Sequence, residues 1–307
     1  MGFALSTSWN AFRHATAGPL ISEIKAAGFE EVELSFNLTR EIVEGFQKLV
    51  SAKQIRVVSL HNYCPAPEDF SREKALPDCL SIASPEEGER RRAVFYAQRT
   101  VETAVKLGAE AVVLHCGRVE MPDATRDLIR LYVDGEADSK EFKDLQSSMI
   151  DQRQKLAGPH FKSALKSLRE LEPFARNQGV RLGIETRFYY REIPSFEEIG
   201  IILDEFRGSN IFYWHDTGHA QFMDHLGFLK HKELLERYGN RLLGIHLHDV
   251  IAAKDHYPPS TGEIDFSWIM SSLREETIKV IEAHYPAAPA ELTQSKKYLE
   301  GLIHGKN

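Results

Sequence analysis

The stretch Leu242-Leu243-Gly244-Ile245-His246-Leu247-His248 is apolar along most of its length and ends in two closely spaced histidines. A buried parallel strand reads as a near-continuous aliphatic run, so packing gives no reason for ligand-type side chains at its far end. Seven further runs of this kind occur, and most of them also end in His, Asp or Glu: Phe3 to Trp9, Val32 to Phe36, Val57 to His61, Val112 to His115, Leu182 to Glu185, Ile211 to Asp216 and Ile278 to Glu282. This pattern predicts a (β/α)8 TIM barrel, an α/β fold whose active site lies at the C-terminal mouth of its strands.

The segments between these runs are predicted to contain the helices of the barrel. Apolar residues recur with helical spacing from Val94 to Val105, and Gly108 follows as a residue suited to end that helix. Ser195, followed three residues later by Glu198, has the form of a capping box at a helix N-terminus.

Three stretches that follow predicted strands are expected to be loops at the mouth. Cys64 to Glu89 and Gly117 to about Lys155 are longer than ordinary connections and are expected to cover the substrate. Asp255 to Phe266 contains two prolines and a glycine, which favour a stiff loop. Within it, Asp265 is predicted to cap a short helix around Trp268.

Composition and charge narrow the class of protein. Residues 1–307, with 27% charged and 42% hydrophobic residues, are expected to form one barrel domain. The net charge of −7 disfavours a nucleic-acid partner, which would need a basic surface. No apolar run approaches the ~20 residues needed to span a bilayer, so we expect a cytoplasmic enzyme without a membrane partner. The composition is compatible with a homo-oligomer. The three cysteines form no CxxC pair, which argues against both a disulfide framework and a structural zinc knuckle.

Four candidate metal ligands end the fifth to eighth predicted strands: Glu185, Asp216, His246 and Glu282. Neighbouring strand ends of a barrel converge, so three carboxylates would lie close together and repel unless a cation neutralised them. The donor set suits one divalent metal ion, Mn²⁺, Mg²⁺, Co²⁺ or Fe²⁺, with Zn²⁺ accessible through the histidine. The alternative is that each is an isolated rim residue paired with a loop Arg or Lys.

Five histidines form a second group of candidates near the mouth: His61, His115, His219, His248 and His256. An imidazole binds sugar hydroxyls, transfers protons or ligates metals, so residue type leaves its role open. His61 and His115 could instead be histidines whose hydrogen bonds are satisfied within the rim. Glu33, near the end of the second strand, could reach the pocket or pair with a loop cation.

Motifs for two other kinds of chemistry are missing from the sequence. No GxGxxG follows a predicted strand and no GxxxxGK[ST] occurs. The serine-centred candidates lack an elbow turn. Nucleotide-cofactor chemistry and Ser-His-Asp hydrolysis are therefore not supported.

The polar strand ends, taken together, resemble those of the xylose isomerase-like TIM barrels. The resemblance runs from Glu33 to Glu282 and rests on Gly183-Ile184-Glu185, His215-Asp216-Thr217-Gly218-His219, Gly244-Ile245-His246-Leu247-His248-Asp249, the loop from Pro258 to Phe266, and Ile281-Glu282. This superfamily contains sugar-phosphate isomerases, ketose 3-epimerases, inosose dehydratases and metal-dependent apurinic endonucleases. The resemblance implies a divalent metal held by Glu185, Asp216, His246 and Glu282, and substrate contact by His219.

Two departures from the family patterns bear on the activity. The endonucleases hold three metals and use an Asp-x-His motif after the seventh strand, where this chain reads Asp255-His256-Tyr257-Pro258. The ketose 3-epimerases tend to carry an Arg six residues after the seventh-strand His, where this chain has Ala252. Arg187 or Arg191 could supply a positive donor from another direction.

The sequence therefore predicts a metal-dependent isomerase or epimerase of a small sugar, sugar phosphate or polyol, acting through an enediolate. Glu185 and Glu282 are the expected acid and base. The expected substrate contacts are His61, His115, His219, Arg187, His248 and His256. The alternatives are a dehydratase of a keto-polyol, a metal-dependent apurinic endonuclease and a barrel that only binds a ligand.

Overall fold

The strands of the computed structural model, which describes residues 2–304, form a closed barrel and one hairpin. Their bounds are β1 (Phe3–Ser6), β2 (Glu31–Leu34), β3 (Arg56–His61), β4 (Ala111–Leu114), β5 (Arg181–Glu185), β6 (Ile211–Asp216), β7 (Leu242–Leu247), β8 (Asp249–Ile251), β9 (Lys254–Tyr257) and β10 (Ile278–Ile281). Eight of them pair in parallel in the circular order β1-β10-β7-β6-β5-β4-β3-β2, and β8 and β9 form the antiparallel hairpin. The predicted (β/α)8 TIM barrel is confirmed.

Helices connect successive barrel strands on the outside of the barrel. Their bounds are α1 (Ala17–Ala26), α2 (Arg40–Ser51), α3 (Glu87–Leu107), α4 (Thr125–Val133), α5 (Lys140–Asn177), α6 (Phe196–Glu205), α7 (Thr217–His225), α8 (His231–Tyr238), α9 (Phe266–Ser272) and α10 (Pro289–His304). The capping box predicted at Ser195 and Glu198 is present, and Asp265 caps α9 by accepting from the Ser267 amide. Gly108 ends α3 in the left-handed conformation at φ 67°. None of these helices is long and apolar enough to cross a membrane.

Several predicted boundaries were wrong. Residues 117–155, expected to be a loop, are largely helical, because the apolar residues of α4 and α5 in this stretch pack onto the core. The first strand ends at Ser6, and Thr7–Trp9 forms a 3-10 turn instead of continuing it. Val105 is 44% exposed, since it lies beyond the face by which α3 packs on the barrel. The loop after β7 contains the β8–β9 hairpin, which the sequence reading did not predict.

Trp214 of β6 fills the inside of the barrel below the mouth and is fully buried. It packs in a cluster of inward-facing residues: Ala4, Val58, Ala111, Val113, Leu243, Ile278 and Val280. Gly183 and Gly244 on the two neighbouring strands leave room for the indole, because a Cβ at either position would lie within 3.0 Å of it. The indole ring lies edge-on to His246, with 5.2 Å between ring centroids, and so forms part of the floor beneath the strand ends.

Replacing Gly244 by Ala is expected to destabilise the fold by about 1–3 kcal/mol, as overpacking of a core does. The added Cβ would lie 2.3 Å from Cζ3 and 2.4 Å from Cη2 of Trp214. Chemical denaturation followed by circular dichroism measures the free energy of unfolding. Gly239→Ala is the control, because its Cβ meets no atom within 4 Å and its φ is −60°. Equal stability of the two variants would contradict the prediction.

Candidate metal centre and active site

The four predicted ligand residues converge at the mouth of the barrel. Glu185, Asp216 and His246 lie on β5, β6 and β7, and Glu282 directly follows β10, which is the next strand around the ring. One donor atom from each residue lies within 4.8 Å of the donor atoms of the other three. All four side chains are buried.

The Nδ1 atom of His246 is the point on which the three carboxylates converge. It lies 2.6 Å from Oε1 of Glu185, 2.9 Å from Oε2 of Glu282 and 3.7 Å from Oδ2 of Asp216. Burial opposes a charge on this imidazole, but the carboxylates of Glu282 and Glu33 raise the pKa of His246 well above its ordinary value. The carboxylates around His246 therefore stabilise a positive charge at this position.

This donor set fits a divalent cation. Three buried carboxylates and one imidazole supply hard oxygen donors and one nitrogen donor, which suit Mn²⁺, Mg²⁺, Co²⁺, Fe²⁺ or Zn²⁺. A divalent ion among these atoms would also replace the proton that the imidazole otherwise has to carry.

Asp216 is positioned by its place between a strand and a helix. It ends β6 and caps α7, with Oδ1 accepting the His219 amide at 2.8 Å. His248 holds the same carboxylate: its Nε2 lies 2.9 Å from Oδ1 and 3.0 Å from Oδ2. The His256 amide donates to Nδ1 of His248 at 3.0 Å, so Nε2 carries the ring hydrogen and donates it to Asp216. His248, expected to contact substrate, thus has both nitrogens engaged with protein groups and orients Asp216.

Glu33 lies behind the centre and orients His246. Its carboxylate oxygens lie 3.0 and 3.2 Å from Nε2 of His246, and the Ser59 hydroxyl donates to it at 2.8 Å. With Nε2–H donating to Glu33, the Nδ1 lone pair of a neutral imidazole points at the three ligand carboxylates. Of the two alternatives for Glu33, the structure shows the first: this side chain reaches the pocket.

The second oxygen of Glu185 is held by two cationic groups. Its Oε2 lies 2.7 Å from Nε2 of His115 and 2.9 Å from Nη1 of Arg187. Asp78, in the loop after β3, binds both partners through Oδ2, at 3.2 Å from Nδ1 of His115 and 3.1 Å from Nη2 of Arg187. Arg187 also pairs with Glu192 at 2.9 Å, so its guanidinium is shared among three carboxylates. Sequence reasoning missed Asp78 and Glu192, because a single acid in a loop carries no periodic signal.

These contacts shift the pKa values of the groups around Glu185. Burial opposes ionisation of Glu185, but His115 and His246 hold its pKa well below the usual range. Burial and Arg187 lower the pKa of His115, but Asp78 and Glu185 outweigh them and raise it. Burial raises the pKa of Glu192 despite the opposing charge of Arg187. His115 can therefore carry a proton beside an ionised Glu185.

His61 and His219 each have one ring nitrogen that is not hydrogen-bonded to any described protein group. Nδ1 of His61 donates to the Asn62 carbonyl and Nδ1 of His219 to the Thr186 carbonyl, each at 3.0 Å. In the neutral rings the lone pair is then on Nε2, which lies 3.7 Å from Oε2 of Glu185 for His61 and 4.0 Å from Oδ2 of Asp255 for His219. Burial lowers the pKa of His219. Such nitrogens accept hydrogen bonds from hydroxyl groups.

His256 forms the wall of the site next to Glu282. Its Nε2 lies 3.9 Å from Oε2 of Glu282, and its Nδ1 pairs with Asp255 at 3.1 Å. Burial opposes the charge, but Asp255 raises the pKa of His256 to about 9. The ring is stacked between His248 and His284, at centroid distances of 4.1 and 3.8 Å. One donor atom each of His256, Glu282 and His284 lies within 4.8 Å of the others, so the stack also contributes to a cluster that could hold a cation.

Asp249 holds the loop that carries this wall, and sequence reasoning gave it no role. Its carboxylate accepts the amides of Val250, Gly262 and Ile264 at 2.8–3.0 Å. A Cβ at Gly262 would lie 2.1 Å from the Val250 carbonyl oxygen, so only glycine fits this turn. The polar stretch that follows β7 thus orders this loop.

Replacing Glu33 by Gln is expected to weaken divalent metal binding about 10- to 100-fold, because His246 loses the carboxylate that fixes its ring. Titration of metal-free protein with Mn²⁺ or Zn²⁺, followed by calorimetry, gives the affinity and a wild-type stoichiometry of one. Glu31→Gln, on the same strand but paired with Arg56 at the opposite end of the barrel, is the matched control. Unchanged metal affinity in Glu33→Gln would show that Glu33 does not support metal binding.

Comparison with known proteins agrees with this architecture. The uncharacterized protein y4fM of Sinorhizobium fredii is 24% identical over 263 residues, which cover 81% of this chain and 74% of that protein. The apo crystal structure of the 3-keto-D-glucoside 4-epimerase YcjR from E. coli superposes with a TM-score of 0.68 at 18% identity, covering 98% of this chain and 99% of that one. The IolI protein with a bound zinc atom superposes with a TM-score of 0.66 at 15% identity, covering 99% of both chains.

At these identities the superpositions show a shared fold. The family model described as xylose isomerase-like TIM barrel matches residues 21–302, which is most of the chain. The predicted resemblance is confirmed, and the protein belongs to the xylose isomerase-like TIM barrel family.

Proposed function

We propose that the protein is a divalent-metal-dependent isomerase or epimerase of a small polyhydroxylated substrate. The observation that carries this proposal is the convergence of Glu185 Oε1 and Glu282 Oε2 on one atom, Nδ1 of His246, at 2.6 and 2.9 Å. The two glutamates come from β5 and from the end of β10, so a ligand between them has a carboxylate on either side. Sugar epimerases and a zinc-containing protein of the same fold are consistent with this chemistry.

The reaction begins at the C–H bond between a carbonyl and a hydroxyl group. A divalent cation held by Glu185, Asp216, His246 and Glu282 would supply the positive charge that acidifies this bond and stabilises the enediolate. Glu282 is assigned as the base because its Oε2 contacts His246 at 2.9 Å and His256 only at 3.9 Å, whereas Oε2 of Glu185 is held by His115 and Arg187. Burial opposes ionisation of Glu282, but His246 lowers its pKa to about 2, so the side chain is ionised.

A proton returns from the side of Glu185, which transfers it to the carbon of the enediolate. His115, whose Nε2 lies 2.7 Å from Glu185 Oε2, then replaces the proton on Glu185, and Asp78 orients the imidazole from its other nitrogen. The proton taken up by Glu282 passes to solvent. Return to the same carbon on the opposite face gives an epimer, and return to the neighbouring carbon gives an isomer. A dehydratase would share the first proton transfer and then expel hydroxide. His61 and His219 offer Nε2 acceptors for the substrate's hydroxyl groups.

Glu282→Gln and Glu185→Gln are each expected to lower solvent deuterium incorporation into the substrate by about 10²–10⁴-fold, since each deletes a proton-transfer group. Deuterium uptake is measured by NMR on a panel of ketoses and keto-polyols in D2O, with metal occupancy confirmed in the same samples. Glu263→Gln, an exposed residue of the covering loop, is the control. If either variant exchanges deuterium at the native rate, that glutamate is only a ligand, and His219 is the next candidate base. Mass loss of one water in the product would identify a dehydratase.

The second candidate is an apurinic endonuclease, which further clusters of metal-type side chains favour. His61, His115 and Glu185 form the first, and His219, His248 and His256 form the second. A third, formed by His256, Glu282 and His284, shares Glu282 with the proposed centre. Metal occupancy of the first would place a cation against Glu185 Oε2, which Arg187 already contacts at 2.9 Å. In the second, His248 has no free nitrogen. These contacts, with the net charge of −7, favour a single metal and a small substrate.

We therefore expect no incision of an abasic-site DNA duplex above background at low salt with Zn²⁺ or Mn²⁺ supplied. A gel assay on a labelled duplex measures this directly. Metal-dependent cleavage that disappears in His115→Ala and persists in His14→Ala, where the histidine lies outside all three clusters, would show that the nuclease assignment is correct instead.

A further inference from the structure

A cleft of about 390 Å³ lies beside the candidate metal centre, between the β8–β9 hairpin and the loop that follows β10. Both of these segments follow strand C-termini, so the cleft opens on the mouth side of the barrel. It borders the centre through His256 and His284, which both line the cleft and each have a donor atom within 4.8 Å of one on Glu282. The Nε2 atom of His256 lies 3.9 Å from Oε2 of Glu282. A group bound in this cleft can therefore be covalently attached to a molecule that reacts at Glu282.

The cleft presents an aromatic face that is held in place and yet exposed. Tyr285 is 62% exposed, and its ring is fixed by an edge contact with Phe12, at 5.5 Å between centroids, and by Arg13, 5.8 Å from its centroid. Phe12 is itself 55% exposed. Burial of apolar surface does not explain this pair of rings, whereas a rigid exposed ring offers contact area at little entropic cost.

Several polar side chains that line the cleft make no hydrogen bond within the part of the protein that the structure describes. Among the described residues, no hydrogen bond involves the side chains of Lys254, Tyr257, Tyr285 or His284, all of which line the cleft. An aromatic face beside unpaired donors and acceptors matches a sugar ring, which offers an apolar C–H face and a rim of hydroxyl groups. The cleft thus has the chemistry of a carbohydrate subsite.

We propose that this cleft binds a second sugar ring, so that the substrate is a keto-sugar carried on a glycoside or oligosaccharide. The proposal rests on the proposed function and names the substrate class of the same site. A carbonyl within a glycosidic ring remains free when the anomeric carbon is substituted, so proton removal beside it by Glu282 needs no ring opening. The second ring would stack on Tyr285 while the keto-sugar lies between Glu185 and Glu282.

The kinetic test compares a methyl keto-glucoside with the keto derivative of methyl cellobioside that is oxidised at the same carbon. Wild-type protein is expected to give the higher kcat/KM for deuterium uptake with the disaccharide. Tyr285→Ala should reduce that advantage by roughly 2- to 12-fold, the range for one aromatic contact, through KM and with little change for the methyl keto-glucoside. Tyr285→Phe should retain the advantage, and Phe95→Ala, an exposed aromatic outside the cleft, is the matched control.

A binding test separates this proposal from the proposed function. Saturation-transfer NMR with unoxidised methyl cellobioside, which needs no turnover, should show contact to the second ring in wild-type protein and its loss in Tyr285→Ala. This result without any deuterium uptake would refute the isomerase and leave the subsite intact. Three results would overturn the subsite. The first is an equal kcat/KM for both keto-sugars, and the second is an equal loss for both in Tyr285→Ala. The third is displacement of the disaccharide by glucose 6-phosphate that depends on Lys254.

Discussion

The burial of four carboxylates around one imidazole is the constraint on which the mouth of this barrel depends. Glu33, Glu185, Asp216 and Glu282 all face His246 and are withdrawn from water. Removing ionised groups from water costs several kcal/mol each unless paired charges and hydrogen bonds compensate. The hydrogen bonds and ion pairs around these carboxylates offset part of that desolvation cost, and a divalent cation would offset more of it.

Three of the four candidate ligands are held by partners from other parts of the chain, which fixes their positions more firmly than any one segment could. Glu33 on β2 holds His246 on β7, and His248 holds Asp216, while Asp78 reaches Glu185 through His115 and Arg187. Groups whose rotamers are locked by such partners keep the geometry that proton transfer requires. The same partners also distinguish the two oxygens of Glu185: Oε1 faces His246, and Oε2 faces His115 and Arg187.

The fold and the four candidate ligands were accessible from the sequence because both follow from one periodic signal, the apolar run that ends in a polar side chain. The roles of the individual histidines could not be predicted from the sequence. Both nitrogens of His248 are engaged by groups 8 and 32 residues away, and Arg187 meets Asp78 across 109 residues. Such contacts leave no local pattern. The helices within residues 117–155 were missed for a different reason: length after a strand was taken to mean loop, although Leu128, Ile129 and Leu131 already provided apolar residues for a helix.

The tryptophan that fills the barrel also links the core to the chemistry above it. The indole of Trp214, one of three tryptophans in the chain, lies against the ring of His246 and is shielded from solvent. Any change in the charge on that imidazole alters the electric field across the indole, and with it the energy of its excited state. The protein thus contains an optical probe beside the candidate centre, and its intrinsic ultraviolet fluorescence would change if a cation replaced the proton on His246.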